Sequence, residues 1–275
     1  MQKATILVLL FAGIAAVAPA PDDWTLVWSD EFDTPGPPDP RNWTYETGFV
    51  RNHELQWYRP ENARCERGLL IIEARRERFR SGDARAEYTS ASLNTRGLHD
   101  WTYGRFEMRA RIDTRAGLWP SFWTLGVAGP AGWPSGGEID IMEYYQGSLL
   151  ANVASIRDPS GMPAWHVVRK PLQEFGDEHW PDQFHIWRMD WDQRVINLYV
   201  DGVLLNSVDL ATTVNNDGSG VNPFHQPQYI LLNLAVGGDS GGDPSDTRFP
   251  ARFEIDYVRV YQRAAAPSPP SPPAH

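Results

Sequence analysis

Cysteine is almost missing from this sequence of 275 residues, in which Cys65 is the only one. An intrachain disulfide is therefore excluded, and the stability of the fold has to come from a buried core. Cys65 itself is expected to be a small buried or half-buried residue, because a catalytic thiol needs an activating partner that the sequence does not identify.

Long hydrophobic runs are missing as well, since no segment beyond the N-terminus offers the roughly 18 consecutive apolar residues of a membrane span. The N-terminus combines Lys3, a short apolar run at 6–12 and the small residues at 18–20. This pattern predicts a cleaved signal peptide over residues 1–20 and a secreted protein, extracellular or periplasmic, with no membrane partner.

Basic residues are outnumbered, because 25 Lys and Arg face 35 Asp and Glu and the formal net charge is −10. Nucleic acids and anionic membranes bind basic surfaces, so neither is an expected partner. The seven histidines lack metal-ligand spacing. There is also no phosphate-binding glycine loop before a helix, and the glycine cluster at 237–242 is interpreted as a turn. No cofactor is expected for catalysis.

The sequence does contain strands and turns in abundance. Apolar and charged residues alternate through 105–113, as a strand with one buried and one solvated face requires. Asp201-Gly202 lies between two apolar segments and supplies the positive φ values of a tight hairpin turn. With no helical periodicity, the pattern predicts one all-β domain over residues 21–263. The segment 264–275, rich in Pro, Ala and Ser, is expected to be a disordered tail.

The most informative segment carries three acids among strand-forming residues: Glu138, Asp140 and Glu143. Hydrolysis of a glycosidic bond with retention uses two carboxyl groups about 5–5.5 Å apart, one as nucleophile and one as acid and then base. In a regular strand Glu138 and Asp140 share a face while Glu143 points to the opposite one. We therefore predict a β-bulge near Met142 that restores the parity.

The predicted roles are nucleophile for Glu138 and acid/base for Glu143. Asp140 lies between them, where it can orient the nucleophile and keep the pKa of the acid high. The alternative interpretation is that the acids form the solvated face of an edge strand. A second Glu-x-Asp strand, Glu254 to Asp256, has Arg259 where a third acid would be needed and is interpreted as structural.

Twelve tryptophans are present, and indole rings can stack on the C–H faces of sugars. Three of them precede the acids and are candidate substrate-binding residues, although each could equally belong to the core: Trp119, Trp123 and Trp133. Polar sugar contacts are predicted from Asn52, Glu54 and Gln56, which alternate along 51–58 as one polar strand edge. A merely solvated strand face is the alternative.

Together these segments resemble glycoside hydrolase family 16 in its bulged, laminarinase-like form. The resemblance covers nearly the whole chain after residue 20 and rests on residues 26–33, 52–56, 103–107, 138–143 and 256–261. It implies a concanavalin A-like β-jelly roll, a sandwich of two curved antiparallel sheets with a concave substrate cleft. It also implies endo-cleavage of β-1,3 or mixed β-1,3-1,4 glucan by a monomer, with the roles argued above for the three acids. A structural calcium is implied at Glu31, Gly48 and Asp256.

The sequence departs from this family pattern at two places. Ser92 stands where many laminarinases have a sugar-binding arginine, so that cation is expected to be missing. The segment 150–155 lacks the histidine that often follows the catalytic strand. Both departures leave the linkage preference open, and two other readings remain: a noncatalytic carbohydrate-binding protein, and a transglycosylase or a hydrolase of agar- or carrageenan-like chains.

Overall fold

The computed structural model describes residues 23–127 and 132–263. The predicted signal peptide and tail lie outside these residues. Within the described part of the chain no helix is long and apolar enough to cross a membrane. The buried single cysteine agrees with the expectation for Cys65, and burial raises the pKa of its thiol to about 11.

Strands make up nearly all of the regular structure, as the alternating pattern predicts. In chain order they are β1 (Trp24–Asp30), β2 (Thr44–Tyr45), β3 (Gln56–Tyr58), β4 (Ala63–Glu66), β5 (Leu69–Ser81), β6 (Ala84–Ser90), β7 (Ser92–Asn94), β8 (Gly104–Arg111), β9 (Leu118–Gly126), β10 (Glu138–Tyr145), β11 (Ser148–Ile156), β12 (Pro163–Pro171), β13 (His185–Trp191), β14 (Val195–Val200), β15 (Val203–Asp209), β16 (Gln228–Val236) and β17 (Ala251–Arg263). One four-residue helix, α1 (Gly238–Gly241), and five short 3-10 turns complete the described elements: Pro60–Asn62, Leu172–Phe175, Trp180–Asp182, Leu210–Thr212 and Pro223–His225.

The strands form two packed sheets. One has ten strands, with the path β15-β14-β13-β8-β17-β5-β6-β3, β1 beside β17 and β4 beside β5. The other has seven, in the order β12-β11-β10-β9-β16-β7-β2. The all-β jelly-roll sandwich is thereby confirmed. The sheets are antiparallel except at one edge, where β3 pairs in parallel with β6.

The core lies between the sheets and is filled by the inward side chains of both. In β8, Phe106 and Met108 are fully buried, while Glu107 and Arg109 on the other face are only half-buried. The predicted alternation of this strand is confirmed. The Asp201-Gly202 hairpin is confirmed too, with φ values of 48° and 79° between β14 and β15.

Acids on the outer face of the ten-stranded sheet are paired with arginines. Glu254 and Asp256 of β17 accept hydrogen bonds from Arg111 and Arg109 of β8. Their interpretation as structural is confirmed, since both carboxylates are neutralised by the neighbouring strand.

The residues implied for a structural calcium do not fit a cation site. Glu31 forms a bidentate ion pair with Arg259, and Asp256 forms an ion pair with Arg109. The carbonyl of Gly48 accepts a backbone hydrogen bond from Tyr58. In the described part of the chain no group of three His, Cys, Asp or Glu residues could hold a metal ion. The calcium expectation is therefore not supported, because the two carboxylates already have positive partners.

Candidate active site

The three acids lie on β10, an interior strand of the seven-stranded sheet, and not on a solvated edge. Pairing with β9 runs Asp140 to Trp123 and then Met142 to Phe122, so one residue of β10 is extra. Pairing with β11 shifts by one residue between Asp140 and Glu143. The predicted bulge is confirmed at Ile141 and Met142.

The bulge decides which side chains reach the core. Ile139, Ile141 and Met142 are all fully buried between the sheets, since two consecutive residues can point inward where the ladder is interrupted. Glu138, Asp140 and Glu143 consequently line one cleft on the outer face of the seven-stranded sheet. Without the extra residue, Glu143 would enter the apolar core as an unpaired acid.

Glu138 and Asp140 are adjacent in the cleft and share a hydrogen bond. Burial raises the pKa of Glu138, while hydrogen bonds from Asp140 and the indole N–H of Trp133 and the charge of Arg51 counteract it. Burial, followed by the nearby charges of Glu143 and Glu138, holds the pKa of Asp140 well above its usual range. Asp140 can therefore carry a proton that it donates to Glu138.

Glu143 is the acid with the clearest proton-holding environment. Burial raises its pKa to about 7, helped by the negative charge of Glu138. Trp119 Nε1 donates to Glu143 Oε1 over 2.7 Å, and Asn152 Nδ2 donates to Glu143 Oε2 over 3.1 Å. These donors fix the orientation of the carboxyl group, and the raised pKa keeps its proton available near neutral pH.

The cleft has a volume of about 610 Å³ and is lined by all three predicted tryptophans. Trp119 and Trp123 are mostly buried, with 8% and 7% of their surface exposed, and each is held by its indole N–H. Trp133 is 53% exposed and donates to Glu138. Trp133 therefore presents the largest free indole surface of the three.

The predicted polar edge is partly wrong. Asn52 and Glu54 do line the cleft. Asn52 has a φ of 54° and lies in a loop, because the strand begins only at Gln56. Gln56 is fully buried beneath the cleft, where it donates to Glu54 Oε2 over 2.7 Å and accepts from the backbone N–H of Val236. Gln56 therefore holds Glu54 and exposes no surface to the cleft.

A cation is present in the cleft after all. The guanidinium of Arg51 lies 5.0 Å from the ring centre of Trp123 and is paired with Glu46. Ser92 Oγ donates to the same Glu46 over 2.6 Å. An arginine from a neighbouring loop therefore lies near Ser92, although the strand position itself carries no cation.

Other cleft residues could not be identified from the sequence. Asn152 of β11 donates to both Asp140 and Glu143. In the sequence, residues 150–155 differ from the family pattern only by the absence of a histidine. Asn233 of β16 connects Trp123 to the hydroxyl of Tyr58. Trp165 and Val167 of β12 line the far side. Only the pairing of the strands reveals these neighbours, since they are distant from the acids along the chain.

Three neighbouring carboxyl groups with raised pKa values, set among indole rings in an open cleft on a β-sandwich, are the arrangement of a glycoside hydrolase. The chain belongs to Glycosyl hydrolases family 16, which it matches over residues 51–259. The resemblance noted in the sequence is thereby confirmed.

Individual relatives extend this match to nearly the whole described chain. A β-glucanase of Rhodothermus marinus is 39% identical over 257 residues, which cover 87% of this chain and 85% of that protein. The laminarinase catalytic domain of Thermotoga maritima is 35% identical with a TM-score of 0.77, covering 89% of this chain and all of that one. A structure from work on endo-acting O-glycanases of the human gut microbiota is 35% identical with a TM-score of 0.79, covering 88% and 92%. The chain spans 38% and 39% of two longer relatives.

Proposed function

We propose that this glycoside hydrolase is a secreted endo-glucanase that cleaves β-1,3 or mixed β-1,3-1,4 glucan with retention, by double displacement. The observation that carries the proposal is the bulge in β10, which places Glu138, Asp140 and Glu143 on one face of one cleft. The glucan is suggested by relatives named as a β-glucanase and a laminarinase.

In the first step the ionised Glu138 attacks the anomeric carbon and forms a glycosyl ester. The bond from that carbon to the leaving oxygen breaks, and Glu143 gives its proton to this oxygen. The pKa of about 7 at Glu143 keeps the proton available at neutral or mildly acidic pH. Burial raises the pKa of Glu138, and the hydrogen bonds from Asp140 and Trp133 and the charge of Arg51 act against this effect, in favour of the carboxylate.

In the second step Glu143, now ionised, takes a proton from water. The resulting hydroxide adds to the anomeric carbon and the ester bond breaks, which returns Glu138 as a carboxylate. Asp140 serves as the modulator, because its proton can follow the changing charge of Glu138. No metal or cofactor is needed for these steps.

Export as a monomer remains part of the proposal. The N-terminal pattern of Lys3, an apolar run and small residues supports secretion. A polymeric glucan cannot enter a cell, so an enzyme acting on it is useful outside the cytoplasm. Cell fractionation and the N-terminal sequence of the exported protein test this point. A cytoplasmic protein that retains Met1 would contradict it.

The substrate test compares the wild type with Glu138→Gln and Glu143→Gln on laminarin, barley mixed-linkage glucan, agarose, xyloglucan and mucin O-glycans, with products separated by chromatography. We expect oligosaccharides from laminarin or barley glucan, and a loss of at least about 10³-fold in both variants. Release from agarose or mucin alone would replace the glucan assignment. Transglycosylation would appear as products longer than the starting oligosaccharide. Binding without any release would favour the noncatalytic alternative.

A further inference from the structure

The edge strand β12 presents an unusual set of side chains to the cleft face. Trp165, Val167 and Arg169 alternate with half-buried neighbours and are exposed, so they share one face of the strand. Trp165 is 42% exposed and Val167 is 55% exposed. We call Trp165 and Val167 the β12 strip. Exposed apolar side chains on a sheet edge favour unwanted association unless something covers them.

The register aligns the β12 strip with the catalytic acids. Ala154 of β11 is paired with both Glu138 and Trp165. Asn152 is paired in the same way with both Asp140 and Val167. Directly paired residues point to the same face of a sheet. Because neighbouring strands lie about 4.8 Å apart, the strip runs beside the acids at a distance of roughly 10 Å.

The strip also meets an aromatic ring that belongs to the site. The ring centres of Trp133 and Trp165 are 6.3 Å apart, with the planes inclined by 45°. Trp133 is held by its hydrogen bond to Glu138. Two half-exposed indoles and a valine thus form an apolar corner directly beside the acid that would attack the sugar.

The two sides of β10 differ in chemistry. Toward β9 and β16 the cleft carries Arg51, Glu54 and Asn233, which can bond to sugar hydroxyls. Toward β12 it carries the apolar strip. Arg169, next along the same face, is engaged with the ring of Tyr145 and the carbonyl of Gln146. Among the described residues this side therefore offers an apolar surface with the charge of Arg169 already engaged, which suits the C–H face of a neutral sugar ring.

We propose that Trp165 and Val167, together with Trp133, form a binding subsite for one neutral pyranose ring of the substrate, on the side of β10 opposite to Arg51. The proposal rests on the proposed function, since the occupant is the same chain that is cut at Glu138. The subsite fixes where a long substrate lies relative to the acids, so it determines which bond is cut.

The test uses Trp165→Ala and Trp165→Phe, with Val203→Ala as the control, because Val203 of β15 is 52% exposed but lies outside the cleft. Kinetics on laminarin and the cleavage pattern of an end-labelled laminarihexaose are measured for each. For Trp165→Ala we expect a KM raised about tenfold and a shifted position of the main cut, because a lost aromatic contact weakens binding by roughly this factor. Trp165→Phe should restore most of both, and Val203→Ala should match the wild type.

Two outcomes would overturn the subsite. An unchanged KM and an unchanged cleavage pattern in Trp165→Ala, with the wild type active, would show that the strip does not bind substrate. A wild-type dimer that becomes monomeric in Trp165→Ala, with unchanged kinetics, would show that a second copy covers the strip. Failure of the wild type to cut any β-glucan would contradict the proposed function instead, so the two failures are distinguishable.

Discussion

Glu143 illustrates how burial and a neighbouring carboxylate can prepare a side chain for acid catalysis. Its pKa of about 7 lies above the ordinary carboxyl range because the cleft removes water and places Glu138 nearby. A group with a raised pKa keeps its proton until the pH rises through that value. We therefore predict that kcat/KM on laminarin falls as the pH rises above about 7, which initial rates between pH 4 and 9 would show. A rate that stays constant to pH 9 would contradict this assignment.

The two tryptophan donors give a sharper test, because each bonds to a different acid. Trp119→Phe removes the N–H that lowers the pKa of Glu143, so the alkaline limb should move to higher pH. Trp133→Phe removes the N–H that lowers the pKa of Glu138, so the acidic limb should move to higher pH. The pH profiles of both variants are compared with the wild type. Equal effects on both limbs would mean that the roles of the two acids are not separated.

Single residues could be predicted from the sequence where their chemistry is unusual for their position. Three acids among strand-forming residues lower the stability of a fold unless they serve catalysis, so the sequence alone identifies them as catalytic candidates. Gln56 does not follow the predicted polar edge, because the strand begins only at Gln56, two residues after Glu54, and this side chain lies fully buried beneath the cleft. Arg51 was missed because a loop arginine has no periodic pattern that would reveal its stacking on Trp123.

At the scale of elements, β10 shows what side-chain parity can predict. The alternation rule required an extra residue for Glu143 to join Glu138, and the register shift provides it. The hairpin at Asp201-Gly202 was equally predictable, because its turn depends on local backbone preferences. The parallel pairing of β3 with β6 was not predictable. Three residues carry too little pattern to specify a partner that lies far away in the sequence.

The turn before β10 allows a prediction about glycine. Gly137 and Gly147 flank the strand with nearly equal φ values of 74° and 75°. A Cβ added at Gly137 would lie 2.8 Å from the ring of Phe224. A Cβ added at Gly147 would have no heavy atom of the described residues within 4 Å. Gly147→Ala should destabilise the fold by about 1–2 kcal/mol from backbone strain alone. Gly137→Ala should cost about 1–3 kcal/mol more through overpacking.

Urea unfolding of the two variants and the wild type measures this difference. Because the backbone strain is common to both, the contacts with Phe224 and Pro223 are isolated by the comparison. Equal destabilisation of the two variants would show that the close approach to Phe224 does not constrain the turn.

Across the whole molecule, arginine–carboxylate pairs connect the strands of the ten-stranded sheet. Glu73 of β5 is nearly buried and meets Arg64, Arg75 and Arg252. Burial alone raises the pKa of Glu73, but the hydrogen bonds and charges of these arginines outweigh it and the net pKa is lowered. A carboxyl group with a lowered pKa stabilises the fold above its unfolded pKa of about 4.5, and this stability is lost as the pH falls through the folded value.

We predict that Glu73→Gln lowers the free energy of unfolding by about 1–3 kcal/mol at pH 7, since hydrogen bonds to a charged partner are lost. The difference from the wild type should begin to shrink as the pH falls below about 4.5 and should vanish only below the lowered folded pKa, where Glu73 is neutral in both states. Chemical unfolding at pH 7 and pH 3.5 measures this, with Glu87→Gln on the exposed face of β6 as the control. A difference independent of pH would mean that packing, not charge, is lost.

The whole sandwich could be anticipated because its segments share a family pattern, whereas the assembly of the cleft could not. Trp165 and Asn233 reach the acids only through the order of the seven strands. That order depends on long-range pairing, which no local propensity encodes.

The most direct test of the account follows the anomeric configuration of the first product by proton NMR, during hydrolysis of laminarin by the wild type. Glu138 and Glu143 on one bulged strand predict a β-anomer that forms first and then mutarotates to the equilibrium mixture. An α-anomer formed first would contradict double displacement, and with it the assignment of Glu138 as the nucleophile.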